Sequence, residues 1–175
     1  MNYAEIKPVD IANGPGVRVS VFVSGCNHHC KGCFNEIAWD FDYGKPFTNE
    51  TVQYILKLLE PDYIKGLTIL GGEPFDLKNQ LYVIELVKAV REKYPNKSIW
   101  CFTGYVFDKD IITYKIGTKP MIDNLLKYID VLVDGPFIET QKNLSLRFRG
   151  SENQRLIDIK RSLYYNKIIL LDDKN

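Results

Sequence analysis

A chain of 175 residues has the size of one ordinary domain. A complete eight-stranded βα barrel takes roughly 200 to 250 residues, so a closed barrel and a multidomain enzyme are both disfavoured. The 23 basic and 22 acidic residues give a net charge of +1, which does not favour binding to nucleic acid or an anionic membrane. Met1–Asp10 lacks the pattern of a signal peptide, and no apolar run has membrane-span length. We therefore expect a soluble, cytoplasmic protein.

Short apolar strands alternate with amphipathic helices along the chain, which predicts βαβ units and a parallel sheet. Val17–Ser24 is β-branched and alternating, and it is the first predicted strand. Thr48 is the predicted N-cap of a helix that ends near Pro61. The elements that follow are the strand Gly66–Leu70, the helix Leu77–Tyr94, the strand Ser98–Phe102, the helix Pro120–Tyr128 and the strand Asp130–Val133.

Each predicted strand is followed by a segment rich in cysteine, glycine or polar residues. These segments are the cysteine loop that opens at Gly25, Gly71-Gly72-Glu73-Pro74, Thr103-Gly104 and Asp134-Gly135. The carboxyl ends of parallel strands lie at one edge of a sheet, where functional groups collect. We therefore expect these four segments to form one shared site.

Three of the four cysteines form the C-x3-C-x2-C motif of Cys26, Cys30 and Cys33. Three thiolates on one loop can each hold one iron of a 4Fe-4S cluster and leave the fourth iron open to a small ligand. Thiolates also suit zinc, for which His28 or His29 could supply a fourth ligand, although their position between ligating cysteines makes this awkward. We expect Cys101 to pack in the core instead of completing the ligand set.

The cysteine spacing is that of the radical S-adenosylmethionine (SAM) enzymes. Within that superfamily, the chain resembles the branch that activates anaerobic ribonucleoside-triphosphate reductases. The segments that carry the resemblance are PVDIANGPGVRVSVFVSGCNHHCKGCFNEIAW, GGEPF, IWCFTGY, DVLVDGPF and RGSENQR, which lie in this order between Pro8 and Arg155. The resemblance implies an α/β fold, an open, incomplete (β/α) barrel of the radical SAM type. It also implies a single radical SAM domain over residues 1–175, in which 159–175 is a C-terminal tail.

The resemblance also implies a reaction and its partners. A reduced 4Fe-4S cluster would cleave SAM to methionine and a 5′-deoxyadenosyl radical. That radical would remove a hydrogen atom from a glycine of the anaerobic reductase and leave a glycyl radical. Because too few cysteines remain for a second cluster, we expect an external, flavodoxin-like electron donor.

The SAM contacts implied by the resemblance come from Gly32, Cys33, Phe34, Gly71, Gly72 and Glu73. Glycines would let backbone carbonyls approach the SAM ammonium group, and Glu73 would accept a charge-assisted hydrogen bond from it. The superfamily often has an aromatic residue just before the third cysteine, whereas this chain has Gly32 there and Phe34 after it. We therefore expect the backbone of 32–34 to contact adenine. Thr103 and Asp134 are further candidates for a SAM or cation contact. The alternative for each is a turn or capping role.

Two further segments complete the sequence-based hypotheses. A basic loop with Arg147, Arg149 and Arg155 is a candidate docking surface for the reductase. The alternative is that these arginines form an ordinary solvent-exposed face. In the tail, Lys167–Leu171 is a predicted edge strand.

Two alternatives stay open for the function. One is another small radical SAM enzyme, either of the 7-carboxy-7-deazaguanine synthase type or a different glycyl-radical activase. The other is a non-catalytic zinc or iron–sulfur binding module. A chain too short to close its barrel would leave an entrance wide enough for a protein loop, and a sealed cavity would contradict this expectation.

Overall fold

Seven strands form one sheet in the computed structural model, which describes residues 1–172. The strands are β1 Asn2–Asp10, β2 Val17–Val23, β3 Lys45–Pro46, β4 Ile64–Gly71, β5 Ser98–Phe102, β6 Val131–Asp134 and β7 Arg155–Asp158. The α-helices are α1 Asn49–Leu58, α2 Leu77–Lys93, α3 Lys119–Leu126 and α4 Ile159–Tyr165. Short helical turns lie at Glu36–Trp39, Phe107–Ile111 and Glu139–Gln141.

The sheet has the strand order β3-β1-β2-β4-β5-β6-β7. Its four central strands β2, β4, β5 and β6 are parallel, and helices α1, α2 and α3 connect them in turn. Antiparallel strands flank this unit, β1 and β3 on one side and β7 on the other. Because the end strands β3 and β7 are not neighbours in the sheet, it stays open. The α/β class and the incomplete (β/α) barrel are thus confirmed, and the flanking strands and α4 were not predicted.

Alternation along the strands divides the side chains between the two faces of the sheet. In β2, Val19, Val21 and Val23 belong to the large buried cluster that α1, α2 and α3 share with the sheet. Successive side chains of a strand point to opposite faces, so Ser20 and Phe22 lie on the other side. Helices therefore cover one face of the parallel unit.

The other face has a smaller apolar cluster of its own. Trp100, Val131, Val133 and Leu156 form it, from β5, β6 and β7. Cys101, next to Trp100 in β5, belongs instead to the large cluster and has no exposed surface. The expectation that Cys101 packs in the core is confirmed.

Two sets of polar contacts fix the helices, and the first, the Thr48 cap, was predicted. Thr48 caps α1, accepting a hydrogen bond from the Thr51 amide while the Thr51 hydroxyl accepts one from the Thr48 amide. Asp130 joins three elements: it contacts Lys160 of α4 and accepts hydrogen bonds from Arg91 of α2 at 2.6 Å and from the Ile99 amide of β5 at 2.7 Å. Burial raises the pKa of Asp130, but these partners outweigh it, and the pKa lies below the ordinary value of 3.8.

The C-terminal segment departs from its predicted edge strand. At Lys167–Leu171 the structure has a single antiparallel bridge, Ile157 to Leu170, flanked by the hydrogen bond from the Leu171 amide to the Leu156 carbonyl at 2.8 Å. The end of the predicted tail, residues 173–175, lies outside the described residues. Over residues 1–172, no helix combines the length and the apolar character needed to cross a membrane.

Candidate functional site

A cavity of about 550 Å³ lies where the carboxyl ends of the parallel strands meet the face without helices. Its lining includes residues that follow each of these strands, namely Cys26, Gly72, Thr103 and Gly135. The four segments expected to share one site are therefore brought together. Of the predicted site residues, the lining contains Cys26, Cys30, Gly32, Cys33, Phe34, Gly71, Gly72, Glu73 and Thr103. Asp134 is not part of the lining.

The cysteine loop is held at its start by backbone hydrogen bonds to the turn that follows it. The Gly25 amide donates to the Ala38 carbonyl at 2.8 Å, and the Cys26 amide donates to the Trp39 carbonyl at 3.1 Å. Gly25 has a φ of +92°, and a Cβ there would lie 2.1 Å from the ring of Phe41. Only glycine therefore fits this first position of the loop.

The three thiols of the loop differ in their exposure. Cys26 is 8% exposed, whereas Cys30 and Cys33 are half-buried. Burial raises the pKa of the Cys26 thiol to about 11, although backbone amides of His28 and His29 donate to its sulfur. Within residues 1–172, no three His, Cys, Asp or Glu side chains are close enough together to bind a single metal ion. The thiols line one cavity instead.

Both histidines of the loop already have other partners. His28 Nε2 lies 2.9 Å from Glu73 Oε2, and the ring of His29 stacks on Trp39 with 4.6 Å between centroids. His28 and Glu73 also line the cavity but are bonded to each other, so the three thiols are the donors left for a cluster, and they fit three irons of a 4Fe-4S cluster. A zinc site with a fourth histidine ligand would require one imidazole to leave its partner.

The glycine-rich segment after β4 extends the pairing of β4 with β2. The Gly72 amide donates to the Val23 carbonyl and the Glu73 amide to the Gly25 carbonyl, both at 2.7 Å. Gly71 has a φ of +108°. A Cβ on Gly72 would lie 2.6 Å from the Gly25 carbonyl oxygen, so the missing side chain lets the two loops touch.

Glu73 is buried, with 1% of its surface exposed, and its carboxylate accepts four hydrogen bonds. The donors are the amides of Phe75 and Gly104, the hydroxyl of Thr103 and Nε2 of His28. Burial disfavours protonation of His28, but the hydrogen bond and charge of Glu73 outweigh it and raise the pKa of His28. Sequence reasoning missed this pair. The adjacency of β2 and β4, whose loops carry the two residues, was the available signal.

The segment 32–34 lies on the rim of the cavity. Gly32 has a φ of +73°, a conformation that an aromatic side chain rarely adopts, which explains the departure from the usual aromatic residue at this position. Phe34 is 80% exposed. Three further aromatic residues of the lining, Phe102, Phe137 and Phe148, were not predicted.

Asp134 lies beside the site, where it connects neighbouring segments of the fold, and it does not line the cavity. It has no exposed surface, and it binds Arg155 through contacts of 2.9 and 2.5 Å and the Phe107 amide at 2.7 Å. Arg155 also bonds Asp108 at 2.6 Å. This ion pair links β6, β7 and the segment after β5. The SAM or cation contact of Asp134 and the docking role of Arg155 stay predictions.

The segment RGSENQR is bonded mostly to itself and to the turn after β6. Gln154 accepts a hydrogen bond from the Gly150 amide at 2.8 Å and donates to the Gly135 carbonyl at 3.0 Å. Asn153 donates to the Pro136 carbonyl at 2.8 Å. These bonds shape a loop whose residues 142–150 form one wall of the cavity.

Comparisons with known proteins identify the family of this chain. The family model of the 4Fe-4S single cluster domain matches residues 12–157. The anaerobic ribonucleoside-triphosphate reductase-activating proteins of Enterobacteria phage T4 and of Vibrio cholerae are each 42% identical to this chain, over 89% and 88% of it and over 93% and 96% of their own lengths. That of Escherichia coli K12 is 40% identical over 88% of this chain and 96% of its own length. The chain thus belongs to the family of anaerobic ribonucleoside-triphosphate reductase-activating proteins, which have a radical SAM 4Fe-4S domain.

Proposed function

We propose that this chain activates an anaerobic ribonucleoside-triphosphate reductase by generating its glycyl radical, with Cys26, Cys30 and Cys33 as ligands of one 4Fe-4S cluster. When bound and reduced, the cluster supplies the electron that cleaves SAM to methionine and the 5′-deoxyadenosyl radical, which takes the glycine hydrogen atom. One observation carries the proposal: the three thiols and the glycine-rich segment after β4 line the same cavity, while the fourth cysteine, Cys101, is buried in the core.

The chain's own residues would hold SAM and exclude water. We assign the backbone of 32–34 to adenine, and Gly71 and Gly72 to the amino-acid end of SAM, because both segments line the cavity beside the cysteines. Leu70, Phe102 and Phe148 add apolar walls. A radical that removes hydrogen atoms without selectivity requires such a dry, shaped pocket.

The mouth of the cavity is suited to a protein substrate. Phe34 and Leu144 both line the cavity and are 80% and 90% exposed, so the cavity is open to solvent where these residues line it. A glycine inside a polypeptide can reach the cysteines only through such an opening. The reductase loop would complete the wall that the short chain leaves out.

Three further parts of the proposal concern the setting of the reaction. The electron comes from outside the chain, from a flavodoxin-like donor, because Cys101 is the one cysteine beyond the cluster ligands and it is buried. Residues 1–175 act as a single domain, of which the family model covers 12–157. The protein works in the cytoplasm, where its nucleotide-reducing partner and donor would be found.

The direct test is anaerobic reconstitution with iron and sulfide, followed by reduction in the presence of SAM. We expect about four irons per chain and formation of 5′-deoxyadenosine. Adding anaerobic reductase should then produce a glycyl radical, detected by electron paramagnetic resonance. Bound zinc without SAM cleavage would refute the proposal.

Cysteine variants give a matched control within the same chain. Changing Cys33 to Ala should abolish 5′-deoxyadenosine formation, since one iron loses its ligand. Changing Cys101 to Ala removes a thiol from the core and should leave both iron content and SAM cleavage intact. Loss of the cluster in the Cys101 variant, or full activity in the Cys33 variant, would show that the ligands are wrongly assigned.

A further inference from the structure

The carboxylate of Glu73 is the meeting point of three loops at the cavity. Oε1 accepts hydrogen bonds from the Phe75 amide at 2.9 Å and the Thr103 hydroxyl at 2.8 Å. Oε2 accepts one from the Gly104 amide at 2.8 Å and lies 2.9 Å from His28 Nε2. The loops after β2, β4 and β5 are therefore tied together by one side chain.

These four contacts use the whole hydrogen-bonding capacity of the carboxylate. An ionised carboxylate has two oxygens with about four acceptor sites between them. Since Glu73 is 1% exposed and each oxygen already has two donors, it offers no free acceptor to a ligand in the cavity. A direct hydrogen bond to the SAM ammonium group would require one of these contacts to break.

The segment between Cys26 and Cys30 is fastened at two successive positions. His28 is bound to Glu73, and the Asn27 side-chain amide donates to Asp76 Oδ2 at 2.8 Å. Both carboxylates lie in the segment that joins β4 to α2. The course of the chain between the first two cysteines is therefore set by this segment.

The structure also makes room for the imidazole of His28. A Cβ on Gly104 would lie 2.6 Å from the His28 ring, so glycine is required there. The ring of Tyr105 packs edge-on against His28, with 4.5 Å between centroids. Shape and hydrogen bonding together hold His28 in one orientation.

We infer that Glu73 is a positioning residue that acts on the cluster through His28, by fixing the loop between Cys26 and Cys30, and not a SAM ligand. The inference rests on the proposed function, in that it takes the three cysteines as cluster ligands. Groups that orient the ligands of a metal centre typically change metal affinity by roughly 10- to 100-fold when they are removed.

The test compares variants of the reconstituted protein in the absence of SAM and reductase. His28→Phe keeps an aromatic ring but removes the donor, and Glu73→Gln removes the charge. We expect both to change the electron paramagnetic resonance spectrum of the reduced cluster and to speed iron loss to a chelator by roughly tenfold or more. The double variant should lose iron no faster than the worse single variant, because the two residues act as one unit.

A conservative variant and a remote residue provide the controls. In His28→Gln, the side-chain amide can donate from nearly the position of Nε2, so it should restore the spectrum and slow iron loss. Glu85→Gln removes the charge of an exposed glutamate on α2 that does not line the cavity. It should match the wild type.

The alternative outcomes are distinct. SAM binding to the same reconstituted variants is measured separately. If Glu73→Gln weakens SAM binding while the cluster spectrum and iron loss match the wild type, Glu73 contacts SAM and the inference is wrong. If Glu73→Gln does not fold, the pair His28→Phe and His28→Gln decides, because an unchanged cluster in His28→Phe also overturns the inference. If the wild type binds no cluster or forms no glycyl radical, it is the proposed function that fails.

Discussion

Replacing Arg155 with Met should destabilise the protein by about 3 kcal/mol, because it leaves the buried carboxylate of Asp134 without its cation. Asp134 has no exposed surface, and Arg155 makes two of the three hydrogen bonds that the carboxylate accepts. Breaking a buried pair typically costs about 3–5 kcal/mol. We take the lower end, since the Arg155 side chain is 28% exposed and partly screened.

The effect is large on the scale of the whole protein. Folded domains are stable by about 5–15 kcal/mol, and for a chain of this size 1 kcal/mol corresponds to about 2–4 °C, so Tm should fall by about 6–12 °C.

Urea unfolding of the cluster-free protein at pH 7 measures the change. Arg147→Met removes an exposed arginine of the loop that precedes β7 and should cost less than about 0.5 kcal/mol. Adding Asp134→Asn to Arg155→Met should recover part of the loss. A loss below about 1 kcal/mol in Arg155→Met would refute the reasoning.

Three other predictions concern different parts of the molecule. Gly71→Ala should lower the free energy of unfolding by about 2 kcal/mol, because φ is +108° and the new Cβ would lie 2.8 Å from the Cα of Phe22. The control Gly150→Ala, at an ordinary φ, should cost less in the same urea titration. The ion pairs of Asp130 stabilise the fold above the unfolded pKa of 3.8, and this contribution is lost as the pH falls through the lower folded pKa. Asp130→Asn should therefore flatten the loss of stability between about pH 5 and 2; an unchanged slope would contradict this. Leu144→Ser should lower the yield of glycyl radical per 5′-deoxyadenosine formed, measured by spin quantitation and chromatography, and an unchanged ratio would remove Leu144 from the reductase contact.

The parallel part of the fold could be predicted because its signals are local. The β-branched run of β2 and the Thr48 cap of α1 each lie within a few residues, and the structure has them at the predicted places. By contrast, β1 contains Pro8 and does not alternate regularly between buried and exposed residues, and β7 has only four residues. Both are stabilised by pairing with a neighbour already in the sheet, which a local pattern does not show.

In the site, too, the local sequence patterns could be predicted and the contacts between distant residues could not. The cysteine motif and the glycine-rich segment are short patterns with a known chemistry, and both line the cavity. The contact of His28 with Glu73 joins residues 45 positions apart, and the ion pair of Asp134 with Arg155 joins residues 21 apart. Neither pair could be assigned before the strand order was known. The extent of the domain and the identities of the cluster and SAM contacts stay predictions.

The two amide-to-carbonyl bonds that continue from β2 and β4 into their loops have a practical consequence for protein engineering. Because Gly72 and Glu73 bond to Val23 and Gly25, the cysteine loop and the glycine-rich segment are one backbone unit. A transplant of this site into another α/β scaffold would have to carry both strands in their native register. The helices on the far face could be exchanged for others that fill the same volume, whereas the cysteine loop grafted alone would lose the surface that shapes it.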